Sequence, residues 1–189
     1  MTDDHVPDST DRTPAPEPPR HGPRAWLERT RDYPWWRFLL IATGVALLLR
    51  VPVVLIGVQL VGEEARTAYD WLEEYTIAEM AMIAIVIGPL LETILAQWLP
   101  VSIGRRLFDG DGQAVLFSAW LFGWLHYTQG MLLVLVMFST GLVLAWTFVV
   151  WRERSRAHAI VMTTAVHALL NAVALVAALL APETAPPPT

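Results

Sequence analysis

The chain has 189 residues, 54% of them hydrophobic and 16% charged, with a formal net charge of -5. It is too apolar for an ordinary soluble domain of this size, so the composition points to a small membrane protein. There are no cysteines, which excludes disulfides, thiolate metal ligands and a cysteine nucleophile.

In chain order, the first 34 residues carry Pro7, Pro14, Pro16, Pro18, Pro19 and Pro23 among Asp, Thr and Arg. Such a stretch buries too little apolar surface to offset its ordering entropy, so a disordered tail is expected over 1–34. It lacks the apolar core and cleavage site of a secretory signal, so the first hydrophobic span is expected to be retained. A second disordered tail is expected over 182–189, "PETAPPPT". Between the tails lies a transmembrane helical domain over 35–181.

A spanning helix needs about 20 apolar residues. Five segments qualify, about 36–61, 77–101, 113–129, 131–151 and 158–181, the third being short. The fold expected is therefore all-α, a polytopic integral membrane bundle of about five transmembrane helices. Arg20, Arg24, Arg29, Arg31 and Arg37 precede the first span, Arg105 and Arg106 follow the second, and Arg152, Arg154 and Arg156 separate the fourth from the fifth. The intervening connections carry only Arg66. The positive-inside rule then puts the N-terminus in the cytoplasm, in what is expected to be a bacterial cytoplasmic membrane. The acidic stretch "GEEARTAYDWLEEYTIAE" is expected outside, lying at the interface.

Glu92 stands inside the second apolar run. An ionisable group at mid-bilayer costs about 2.5 to 3.5 kcal/mol on insertion scales, so such groups face the protein interior and are functional candidates. His126 lies in the third span, and His167 and Asn171 lie in the fifth, four residues apart and so on one helix face. Counted from the arginine-bearing ends at about 1.5 Å per residue, all four side chains fall roughly 16 to 23 Å deep. They can meet in one layer. Taken singly, His126 also reads as an interfacial histidine and Asn171 as an interhelical hydrogen-bond donor. Arg50 lies at about the same depth in the first span; it either snorkels to an interface or turns inward to pair with Glu92 or steady a substrate.

Peptide hydrolysis by water needs a base near neutral pH, and withdrawing a carboxylic acid from water moves its ionisation toward that range. Glu92 suits that role. His126 could orient the water or share its proton, and His167 and Asn171 could donate hydrogen bonds to a developing oxyanion. The same glutamate and two histidines could instead hold zinc with an open fourth position.

Glu92, Phe122, His126, His167 and Asn171, in this order, also carry a resemblance. The pattern resembles the CPBP family of intramembrane proteases, which includes the type II CAAX prenyl endopeptidases and the Abi proteins. That family's motifs are a Glu-Glu pair followed by Arg, a Phe and a His with three residues between them, and a His and an Asn or Asp with three between. The second motif is met by Phe122 and His126, and the third by His167 and Asn171. The first departs: Glu92 is followed by Thr93 where the second glutamate would stand, and Gln97 takes the place of the arginine. The change removes one negative and one positive charge together and keeps hydrogen-bonding groups. The resemblance covers about residues 77–175 and implies a water-activating glutamate, with Thr93, Gln97 and Phe122 in support. With "HExxH" absent as well, the metal-free arrangement is preferred over zinc, and no cofactor is expected.

Other membrane-protease schemes fit poorly. Asp70, Asp109 and Asp111 all fall in expected loops, and neither Ser118 nor Ser139 has the GxS setting of a membrane serine protease. "DGDGQ" reads as a turn, because Trp120 occupies the place of a calcium loop's bidentate glutamate. The expected function is an intramembrane endopeptidase cutting a membrane-associated protein or peptide, with the bilayer as its medium and no nucleic-acid partner. The alternative is a non-catalytic membrane protein, an immunity, assembly or transport helper, that keeps the polar cluster for binding.

Overall fold

Long apolar runs leave the backbone no partner but itself in hydrocarbon, so each run closes its hydrogen bonds as a helix. The computed structural model describes Thr30 and residues 33–61 and 75–180. These contain α1 (Trp35–Val61), α2 (Ile77–Leu107), α3 (Asp111–Trp124), α4 (Met131–Arg152) and α5 (Arg156–Leu180). The two expected tails, apart from Thr30, Tyr33 and Pro34, and most of the acidic stretch, 62–74, lie outside the described residues.

Four of these helices, α1, α2, α4 and α5, are long and apolar enough to cross a membrane. The expected third span is met by α3 and a 3-10 turn, Tyr127–Gln129, but its α-helical part has only 14 residues, about 21 Å of rise. The second span reaches Leu107, six residues past the expected 101, and carries Arg105 and Arg106 in its own last turn. Trp120, Trp124 and Tyr127 form an exposed aromatic ladder, with stacked ring centroids 5.9 and 5.4 Å apart, in keeping with rings that prefer the membrane interface.

Local chemistry sets the helix ends. Thr76 and Glu79 form a reciprocal capping box at the start of α2, with Thr76 N–H donating to Glu79 Oε2 at 2.8 Å. Ser155 Oγ accepts from His158 N–H at 3.1 Å where α5 begins. Arg105 and Asp111 close the connection from α2 to α3 with an ion pair of 2.6 Å. Gly130 has φ 106°, a conformation natural to glycine, and turns the chain into α4.

α2 is continuous but not uniform. It is α-helical over Ile77–Ala81, π-helical over Met82–Ile87, α-helical over Gly88–Glu92, π-helical over Thr93–Trp98 and α-helical over Leu99–Leu107. Each widened segment runs into a proline, Pro89 or Pro100. A proline has no N–H and its ring crowds the carbonyl one turn back, and widening the turn relieves that clash.

The packing reverses the order of a soluble core. Leu48, Leu55, Leu95 and Val161 face outward, while small and polar residues, Ala46, Ala96, Thr93, Gln97, Ser118 and Thr163, are fully or almost fully buried among larger ones such as Phe122, Leu144 and Phe148. Lipid tails are as apolar as leucine, so close backbone approach and hydrogen bonding hold the helices together. α4 is the central helix, packed against α1, α3 and α5. A Cβ at Gly141 would lie 2.9 Å from Ala119 Cα and 3.0 Å from the Phe122 ring, so α3 and α4 touch here at backbone distance. Gly141→Val should therefore lower stability by about 1 to 3 kcal/mol in thermal unfolding of the detergent-solubilised protein. Gly112→Ala, with nothing within 4 Å of the added carbon, should leave it unchanged or raise it.

Candidate active site

Glu92 closes the short α-helical piece between the two π-helical segments of α2. One extra residue in a turn swings later side chains about 100° around the axis, so these segments decide which way Glu92 and the residues after it face. Glu92 is partly exposed, and its carboxylate Oε2 lies 3.7 Å from Nε2 of His167, which is 2% exposed overall. Glu92 and His167 are thus brought together from α2 and α5.

His126 sits just beyond α3, where the chain leaves the α-helix for the 3-10 turn. Its Nδ1 donates to Phe122 O at 2.9 Å, which leaves Nε2 of the neutral ring as an acceptor. Phe122, fully buried, packs its ring at steep angles, 72° and 87°, against both imidazoles, with centroids 5.2 Å from His126 and 5.6 Å from His167. The spacing of three residues between Phe122 and His126 therefore has a physical purpose. One aromatic wedge sets both histidines.

Asn171 shows how the prolines shape the site. Gly88 N–H bonds to Ile83 O, so in this widened register the donor due to Ala84 O would be Pro89, which has none. Asn171 Nδ2 supplies it from α5, at 2.8 Å. Near the second proline a side chain from another helix again meets a carbonyl of α2, Ala96 O accepting from Ser118 Oγ on α3 at 2.7 Å. The same hydroxyl hydrogen is shared with Gln97 Oε1 at 2.9 Å. Ser118 and the Ala84 carbonyl were not among the site residues expected from sequence; Pro89 was the signal that would have found the Ala84 carbonyl.

Glu92, His126, His167 and Asn171 line one cavity of about 260 Å³, with Gln129 and Met137 on its wall. It extends past the first turn of α4 and the last turns of α5, where Ala178 lies, toward the end of the bundle away from the arginines. Thr93 and Gln97, the departures from the resemblance, are fully buried beside Glu92 in sequence but do not line this cavity. Thr93 Oγ1 and Gln97 Nε2 have no hydrogen-bond partner among the described residues. Arg50 turns inward, where its Nε donates to Thr140 Oγ1 on α4 at 2.7 Å; of the options read from the sequence, an ion pair with Glu92 is not seen among the described contacts. Thr140 sits on α4, the helix packed against α1. Among the described residues no three His, Asp or Glu side chains are grouped to hold a metal ion.

A family model described as "Type II CAAX prenyl endopeptidase Rce1-like" matches residues 75–173, just over half of the chain. No curated protein and no solved structure matches it.

The strap between Asn171 and Ala84 can be tested by a double-mutant cycle. Asn171→Ala should cost about 1 kcal/mol by leaving a part-buried carbonyl without its protein donor. Pro89→Ala restores a backbone N–H, so the same Asn171→Ala change should cost clearly less in that background, read as a smaller drop in the thermal midpoint.

Proposed function

The chain belongs to the Rce1-like family of type II CAAX prenyl endopeptidases, and on that premise we propose that it hydrolyses a peptide bond of a membrane-associated protein or peptide by glutamate-activated water. The observation that supports this reading is the single cavity on which Glu92, His126, His167 and Asn171 converge from α2, the end of α3 and α5.

In this mechanism Glu92 takes a proton from water as the water oxygen bonds to the carbonyl carbon of the substrate. His126 Nε2, an acceptor because Nδ1 serves Phe122 O, holds the water's other hydrogen. His167 Nε2–H lies on the Glu92 side of the cavity and donates to the developing oxyanion. Collapse of the tetrahedral intermediate breaks the carbon–nitrogen bond, and the proton on Glu92 passes to the leaving amine. Asn171 acts first as a positioning residue, tying α5 to α2 so that His167 faces Glu92, with its second amide hydrogen left for the oxyanion. Thr93, Gln97 and Ser118 steady the turn that follows Glu92, and Arg50 acts from behind, through Thr140.

Glu92→Gln keeps size and removes the proton acceptor. Cleavage of a reporter substrate in reconstituted membranes should fall by orders of magnitude, with the thermal midpoint held or raised. His126→Ala should be nearly as severe, and metal chelation should leave the rate unchanged. Wild-type cleavage by Glu92→Gln would remove the hydrolase mechanism; loss of folding instead would make Glu92 structural and favour the non-catalytic binding role. Loss of activity on chelation alone would return the zinc arrangement.

For orientation, the arginine end faces the cytoplasm of a bacterial membrane with the N-terminus on that side, and the cavity opens toward the outer half of the bilayer. A single cysteine at Asp109 should be labelled from the cytoplasmic side only, and one at Thr128, in the 3-10 turn, from the outside only. Labelling of both from one side would refute this topology.

A further inference from the structure

A second cavity, of about 380 Å³, lies at the opposite end of the bundle from Glu92. Its walls carry Arg105 and Arg106 from the last turn of α2, Arg152 from the last turn of α4 and Arg156 from the first turn of α5, with Trp98 and Ser102 between them. We propose that this cavity is a phosphate-binding site, built to hold the phosphate of an anionic lipid headgroup or a free phosphate of the same chemistry.

The argument begins with charge. Topology alone asks only that arginines lie on one side of the membrane, where each can spread into water and among headgroups. Here four of them turn toward one space. Asp111 pairs with Arg105 at 2.6 Å, and Glu153 lies close enough to Arg152 to act on it, as do Arg105 and Arg156. Two carboxylates against four guanidinium groups leave the cavity with an excess of two positive charges, which a phosphate dianion, or a monoanion in part, would offset. Geometry adds to this. Arg152 Nη1 is buried and has no hydrogen-bond partner among the described residues, while Arg156 is held over the Trp98 ring, 5.8 Å from its centroid. Planar guanidinium groups suit phosphate because they donate two parallel hydrogen bonds, and Ser102 offers a hydroxyl in the same wall. Basic pockets between membrane helices at the cytoplasmic face are a known setting for anionic headgroups, and Trp98 and Phe148 supply an apolar wall for the part that follows the phosphate.

Occupancy would tie the ends of α2, α4 and α5 together, so it is read as stabilisation and does not depend on catalysis. The full chain, in a non-ionic detergent, is titrated separately with inorganic phosphate, short-chain phosphatidylglycerol and short-chain phosphatidylcholine, and the thermal midpoint is followed. A saturable rise is expected with phosphatidylglycerol, with inorganic phosphate, or with both, and not with zwitterionic phosphatidylcholine. A rise with phosphatidylglycerol alone assigns the site to a headgroup; a rise with inorganic phosphate shows that the free ion suffices. Arg152→Gln and Arg106→Gln should each weaken the response about tenfold. Arg37→Gln should leave it unchanged, since Arg37 lies at the same end of the bundle but outside the cavity, beside a Phe38 ring that packs on Trp151. If Arg152→Gln does not fold, the exposed Arg106→Gln decides. The proposal is overturned if neither anion gives a saturable rise, if phosphatidylcholine matches phosphatidylglycerol, or if Arg37→Gln weakens the response as much as the pocket variants do.

Discussion

Proline cannot donate a backbone hydrogen bond, and in a membrane helix no water stands ready to replace it. The architecture follows from where α2 meets this shortage. Pro89 and Pro100 widen the turns before them, and the carbonyls of Ala84 and Ala96 are met from other helices, by Asn171 of α5 and Ser118 of α3. These two contacts fasten α2 about two turns before and about one turn after Glu92. The glutamate is held between two points of attachment, and the histidines arrive on the helices that make them.

Phe122 extends the same logic to the imidazoles. Its carbonyl fixes the His126 tautomer, and its ring packs at a steep angle against both His126 and His167. One residue of α3 therefore coordinates a turn residue and a residue of α5. The close contact of α3 with α4 through Gly141 keeps that ring in place, because Phe122 lies against the position a larger side chain would occupy.

Much of this was legible in the residues. Hydropathy marked the helices, with ends off by as much as six positions, since span length follows directly from the bilayer's thickness. Matched depth anticipated the meeting of Glu92, His126, His167 and Asn171, which now share a cavity wall. The directions of side chains were less accessible. A regular helix was assumed through 77–101, and two π-helical segments alter the face of everything beyond them. For Arg50 an inward turn was one option among others, and what it meets there depends on which helix α1 packs against, which brings Thr140 of α4 to its Nε. For Thr93 and Gln97 the charge-balanced departure was visible, while their burial beneath the site, away from its wall, required the fold.

The strap from Asn171 also bears on how the molecule is assembled. A ribosome delivers α2 well before α5, so for an interval the Ala84 carbonyl waits in the membrane without its donor, at a cost of order several kcal/mol for an unmet backbone group. Only the arrival of α5 ends that interval. Closing of the site is thus coupled to completion of the described helices: a nascent chain that stops after α4 carries Glu92 but neither His167 nor the clamp that aims it, so the cluster comes together only once synthesis has passed Asn171.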